Sequence, residues 1–238
     1  MVNVAAKPAR RPDVEVEYGS ERWILLGQLR QKAYDLMAAL EQHSIQTIVH
    51  GSIARGDVNK ESDIDIFIPN SPSSFLLETI LEQAKTPITS RTVIQATPAY
   101  AMKAYIEIDA TTTVSFALMA MRRVEREFYR FSGEANLSQL RVNERVAGVD
   151  KRLMLIQPTQ GGHLESSIIS REEESANILG VAVETVLDRA HALMKRDRVG
   201  RTGVFVKKEL ASDETFEYAL KRLADENPAV RRRLRSSL

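Results

Sequence analysis

The chain has 238 residues, 43% of them hydrophobic, enough for a sizeable core and for more than one modest domain. Its formal net charge of +1 names no partner, and the lack of cysteine excludes a disulfide framework and a thiolate metal site. No apolar run of about 18 residues occurs, so no membrane-spanning helix is expected, and MVNVAAKPARRPDVEVEYG lacks an apolar signal core; a cytoplasmic protein is the expectation.

Residues 1–18, with Pro8, Pro12 and several charges, read as a flexible tail. From Ser20 to about Gln42, apolar residues recur at three- and four-residue steps (Trp23, Leu26, Leu29, Ala33, Leu36, Leu40), which predicts a helix. IQTIVH, 45–50, predicts a strand, and DIDIFI, 63–68, a second that Pro69, Asn70 and Ser71 end. SSFLLETILEQAK, 73–85, predicts a helix capped by Ser73 or Ser74. TVIQA, 92–96, reads as a third strand, AYIEIDATTTVSF, 104–116, as a fourth, and MAMRRVEREFYRF, 119–131, as a charged helix. This alternation implies an α/β (α+β) domain with a small mixed sheet over residues 19–146. Beyond it, KRLMLIQP and QGG read as a strand and a turn, and residues 147–238 are otherwise mainly helical.

HGSIARGDVNKESDIDIFI, 50–68, carries the most chemistry. Residues i and i+2 of a strand share a face, so Asp63 and Asp65 project side by side, about 7 Å apart along the backbone. Ile64, Ile66 and Ile68 point the other way, towards a core. Adjacent carboxylates repel, and a hard cation resolves the conflict: Mg²⁺ is held by one or two carboxylates together with substrate phosphates. YIEIDAT offers Glu107 and Asp109 at the same spacing as further acids. The Gly51-Ser52 step follows a strand directly, where glycine lets the backbone approach a phosphate and the serine hydroxyl can hold its oxygens. Arg55 adds a cation, and Lys103 reads as a surface lysine in preference to a further phosphate contact.

GSIARGDVNKESDIDIFI resembles the signature of the polymerase-beta-like nucleotidyltransferase superfamily, a Gly-Ser step followed about ten residues later by Asp-x-Asp. YIEIDAT is similar to the strand bearing the third carboxylate in archaeal CCA-adding enzymes, which favours Asp109 over Glu107. The resemblance spans roughly residues 30–130. It implies two Mg²⁺ ions on Asp63, Asp65 and Asp109, with Gly51, Ser52 and Arg55 at the phosphates of a nucleoside triphosphate, ATP being the expected one. It also implies transfer of a nucleoside monophosphate to a hydroxyl with release of pyrophosphate.

The second half passes a spacing test. Ala176, Gly180 and Val186 stand where a helix-turn-helix needs a small residue, a turn glycine and an apolar residue. Arg189 departs from the pattern. DRVGRTGVFVKK then reads as a turn and a short strand, so the segment resembles a winged helix-turn-helix domain. Lys195, Arg196, Arg198, Arg201, Lys207 and Lys208 concentrate charge there, and Arg198, Arg201, Lys207 and Lys208 are expected to contact RNA or DNA. The four histidines lack metal-ligand spacing. Two other readings remain open: an antitoxin-like nucleotidyltransferase that adds AMP to a partner protein, and a DNA-binding regulator with a nucleotide-sensing domain.

Overall fold

The computed structural model describes residues 12–200 and 203–236. In chain order the elements are β1 (Val14–Glu17), α1 (Ser20–Glu41), β2 (Ile48–His50), α2 (Ser52–Arg55), β3 (Ile64–Ile68) and α3 (Ser74–Gln83). Next come β4 (Ser90–Gln95), β5 (Lys103–Asp109), β6 (Thr112–Ala117), α4 (Arg123–Phe131), β7 (Glu134–Asn136) and α5 (Leu137–Arg141). The chain continues through β8 (Gly148–Val149), β9 (Met154–Pro158), β10 (Gly162–Ser167), α6 (Glu172–Leu179) and α7 (Val183–Val199). It closes with β11 (Val206–Glu209), α8 (Phe216–Glu226) and α9 (Pro228–Arg235). No described helix is long and apolar enough to cross a membrane.

These elements form two compact units that interleave along the sequence instead of dividing near residue 146. Among the described residues the first unit comprises 12–30, 50–62 and 126–200, and the second 31–49, 63–125 and 203–236. The reason is long-range pairing: early segments join late ones in the first unit, and residues 203–236 return to strands laid down before residue 125.

In the first unit, β1, β10, β9 and β8 make an antiparallel sheet in that order. The expected tail is therefore ordered from Val14, because β1 pairs with β10 over Val14↔Glu165 to Glu17↔Gly162. Gly162 permits this approach, since a Cβ there would lie 1.8 Å from the Val16 carbonyl oxygen. Phe131, Leu153, Leu155 and Ile168 pack with Ala176, Leu179, Val186 and Ala190 of α6 and α7 into one apolar core. Gly180, at φ 63°, turns the chain between the two helices; few side chains tolerate that conformation.

In the second unit the strand order is β11-β4-β5-β6-β3-β2. β3 and β6 pair in parallel, whereas β11–β4, β4–β5 and β5–β6 pair antiparallel. The stretch 104–116, expected as one strand, is the β5–β6 hairpin. Its turn is made by Asp109, whose Oδ1 accepts from the Thr111 amide and hydroxyl at 3.0 and 3.1 Å, an aspartate-built turn with no glycine or proline to announce it. Val206–Glu209, expected as a wing, pairs instead with β4 and forms the sheet's edge. α8 and α9 start on capping side chains: Thr215 accepts from the Tyr218 amide and Asn227 from the Ala229 amide.

Candidate active site

The carboxylate strand folds as its alternation dictates. Ile64, Ile66 and Ile68 are fully buried, Asp65 is half-buried, and Asp63 stands exposed one residue ahead of β3. Register then sets Asp65's neighbours. Asp65 lies opposite Thr113 of β6, Thr113 opposite Glu107 of β5, and Glu107 opposite Ser90 of β4. Laterally paired residues share a sheet face, so this row is carboxylate, hydroxyl, carboxylate, hydroxyl. Ser90 Oγ donates to Glu107 Oε2 at 2.7 Å. The next row on the same face is Phe67, Ser115, Tyr105, Thr92 and Glu209. Burial, and then the nearby Asp65 charge, push the Tyr105 phenol up to about 12.

The hairpin changes the reading of the third acid. β6 lies between β3 and β5, so Asp109 is two strand spacings from the carboxylate strand, about 9.5 Å between backbones. Asp109 is engaged by Lys32 Nζ at 2.8 Å. The Lys32 ammonium, first, and the Thr111 amide hold its carboxyl well below the usual carboxylate range. Among the described residues no group of three or more histidines or acids could hold a metal ion. Asp109 is thus held by Lys32 and lies on the strand next but one to that of Asp65. Asp63 and Asp65 suit an ion whose other ligands include phosphate oxygens.

The Gly51-Ser52 turn belongs to the first unit. Gly51 adopts φ 78°, ψ −145°, a conformation that strains any residue with a Cβ. A Cβ there would meet nothing within 4 Å, so the glycine serves the backbone path and not a shortage of room. The Gly51 amide donates to the Gly133 carbonyl at 2.9 Å and Ser52 Oγ to Ser62 Oγ at 3.1 Å. Arg30, buried under α2, donates to the carbonyls of Ile53 and Ala54 at 3.0 and 2.9 Å and so fixes the turn from behind. Arg55, expected at the phosphates, faces inward. Its guanidinium grips Asp57 at 3.0 and 2.9 Å and donates to the Ser132 carbonyl at 2.6 Å, which leaves it 5% exposed.

The expected nucleic-acid contacts do not form one wing. Arg198 is exposed on the last turn of α7 in the first unit. Lys207 and Lys208 sit on the edge strand β11 of the second; Lys207 is exposed, and Lys208 is ion-paired with Glu214. Arg201 lies outside the described residues. The start of α7, which reads bases in groove-binding helices, is engaged within the unit. Glu127 accepts from the Ala182 amide at 2.9 Å and the Thr185 hydroxyl at 2.5 Å. Arg189, the departure from the apolar pattern, lies 4.6 Å over the Phe128 ring. Lys32, Arg30 and Glu127 gave no signal in the sequence, because each works through a partner far along the chain.

Residues 32–111 match the family model described as the nucleotidyltransferase domain. That span holds the Gly51-Ser52 turn and the Asp63/Asp65 strand, and the chain is an enzyme of the nucleotidyltransferase class. Two solved structures show a distant likeness. One is Cid1, described with RNA terminal uridylyl transferase activity, at 16% identity and TM-score 0.27 over 42% of this chain and 31% of that one. The other is the GLD-2/RNP-8 complex, at 18% identity and TM-score 0.31 over 80% of this chain and 64% of that one. The chain thus spans less than two thirds of either length. No curated protein matches the chain.

Proposed function

We propose that this enzyme moves a nucleoside monophosphate from a nucleoside triphosphate, ATP first among them, to a hydroxyl acceptor on nucleic acid. The observation that carries the reading is the family match over residues 32–111, which contains both the Gly51-Ser52 turn and the two carboxylates. In the reaction a bond forms between the acceptor oxygen and the α-phosphorus. The α–β anhydride bond breaks, pyrophosphate departs with the electron pair, and the acceptor's proton passes to solvent.

Asp63 and Asp65 would hold divalent ions, Mg²⁺ above all. When bound, these supply charge neutralisation and Lewis-acid polarisation at the phosphates. Ser52 donates its hydroxyl to an outer phosphate oxygen in place of Ser62, and Gly51 keeps the backbone low enough for the phosphates to approach. Asp65 is oriented by its register opposite Thr113. Asp109, the third ligand that the resemblance implies, also ties the β5–β6 turn to α1 through Lys32, a pair it would exchange for an ion. Such an arrangement works by positioning and electrostatics and needs no covalent intermediate.

The test is incubation of the full chain with each α-labelled triphosphate and Mg²⁺, offering RNA, DNA or lysate protein. Label on nucleic acid with stoichiometric pyrophosphate supports the reading. Label on protein alone would replace it with the antitoxin-like one.

A further inference from the structure

We propose that Thr113 is a further protein ligand of the ion held by Asp63 and Asp65, a neutral hydroxyl at the place where a third carboxylate would stand. This deepens the proposed nucleotidyl transfer and rests on it. Its consequence is that the site takes its divalent cation together with the triphosphate instead of ahead of it. The pairing of β3 with β6 carries the assignment. The two strands are direct neighbours, and Asp65 lies opposite Thr113, one strand spacing of about 4.8 Å away. Burial shows which way both residues point. Ile64, Ile66, Thr112 and Val114 are at most 1% exposed, whereas Asp65 and Thr113, which alternate with them, are half-buried. Successive residues of a strand face opposite sides, so the Asp65 and Thr113 side chains share the open face.

The surroundings make this hydroxyl the nearest further ligand on the β6 side. One row along, Phe67 is fully buried, and Ser115, 6% exposed, donates its hydroxyl to the Ile66 carbonyl at 3.3 Å, so on β3 and β6 the open face ends at the row of Asp65. Glu107 lies beyond Thr113 and accepts from Ser90 of β4, on its far side. Asp109 is out of phase with that row. The register shifts between Glu107 and Asp109, which brings Asp109 opposite Thr112 and so into the row of Ile64. Mg²⁺ binds oxygens at about 2.0–2.1 Å, so its adjacent ligands stand about 3 Å apart. Side chains on neighbouring strands can approach that closely, whereas Asp109 would have to leave Lys32 and reach across β6. A threonine hydroxyl offers lone pairs but no charge. Two carboxylates and a hydroxyl present two negative charges in place of three, and the charge count of the ligands tunes affinity for a hard cation. The ion is therefore held weakly until triphosphate oxygens join the protein ligands.

The experiment titrates Mn²⁺, which shares the preference of Mg²⁺ for oxygen ligands, into the full chain. Bound ion is read from the enhancement of water proton relaxation, with and without α,β-methylene ATP. The wild type should bind Mn²⁺ weakly alone and more tightly with the analogue; equal affinity in both conditions would overturn the proposed order of binding. Without nucleotide, Thr113→Asp should tighten binding about tenfold or more by adding a charge. Thr113→Val keeps the branched shape and removes the oxygen, and should weaken binding with the analogue about threefold. Thr113→Ser should retain the wild-type value. Thermal unfolding checks each fold, and if a third acid between Asp65 and Glu107 unfolds Thr113→Asp, the valine and serine variants decide. Equal affinity in wild type and Thr113→Val would overturn the assignment. So would loss in Asp109→Asn with none in Thr113→Val, which gives the third place to Asp109. Either result leaves nucleotidyl transfer standing where Asp65→Asn abolishes Mn²⁺ binding. Affinity unchanged in both Asp63→Asn and Asp65→Asn would instead remove the metal site on which the transfer reading rests.

Discussion

Two groups of cations in this chain sit in different frames. Lys195, Arg196 and Arg198 occupy the exposed last turns of α7, a helix whose first turn is tied down by Glu127. Lys103 and Arg122 flank a hairpin whose other end carries the acids, and a buried carboxylate fixes Arg122. The second group shares a sheet with Asp65. The cations thus differ in the element behind them, and so do the acids: Asp65 is backed by buried isoleucines, whereas Asp109 is ion-paired with Lys32.

The comparison between the acids breaks most sharply under substitution. Asp63→Asn and Asp65→Asn should each lower transfer by about 10³-fold or more, beyond the loss of one donor to developing charge. Asp109→Asn should lower it less than about threefold if Asp109 only pins the hairpin. Equal losses at all three positions, in initial rates at saturating triphosphate and Mg²⁺, would restore Asp109 as a ligand. Next in size is Ser52→Ala, expected to reduce kcat/KM for the triphosphate by about ten- to a hundredfold; an unchanged value would show that the hydroxyl stays with Ser62.

Stability effects are smaller and sharpen the contrast between the units. Glu127→Ala should cost about 1–2 kcal/mol by removing the acceptor at the start of α7, read as a lower urea midpoint. Glu165 gives a pH effect. His163, first, and then Arg152 hold its carboxyl down at about 2, against an ordinary 4.5. A carboxyl lowered on folding adds stability that is fully present above 4.5 and is lost as pH falls through about 2. Glu165→Gln should therefore flatten the acid limb of the stability curve between those values, while the curve above pH 5 keeps its shape. The Lys32–Asp109 pair is exposed on both sides, 46% and 40%, so Lys32→Ala should cost no more than about 1 kcal/mol.

Much of the fold and part of the site were legible in the sequence, and the division follows the range of the interactions. The period of α1, the Ile-backed carboxylates, the β9–β10 turn and the Ala176/Gly180/Val186 spacing are local patterns, and the structure contains each of them. The β5–β6 hairpin was hidden because Asp109 and Thr111 make its turn without glycine or proline. VFVKK read as a wing because nothing nearby shows that its partner is β4, more than a hundred residues earlier. Arg55 looked available because nothing in the sequence shows that it turns inward: Asp57, two residues on, takes two of its bonds, and its other acceptor, the Ser132 carbonyl, lies 77 residues on. Glu125 looked like one more charge on a charged helix, and only the fold shows it buried beneath two arginines.

The most direct test of the central claim is release of labelled pyrophosphate from γ-labelled triphosphate, measured with an RNA acceptor and Mg²⁺ for the wild type and for Asp63→Asn and Asp65→Asn. The account predicts pyrophosphate release matched by acceptor labelling in the wild type, and loss of both in each variant whose thermal unfolding is unchanged. Undiminished release and labelling in either folded variant would contradict it.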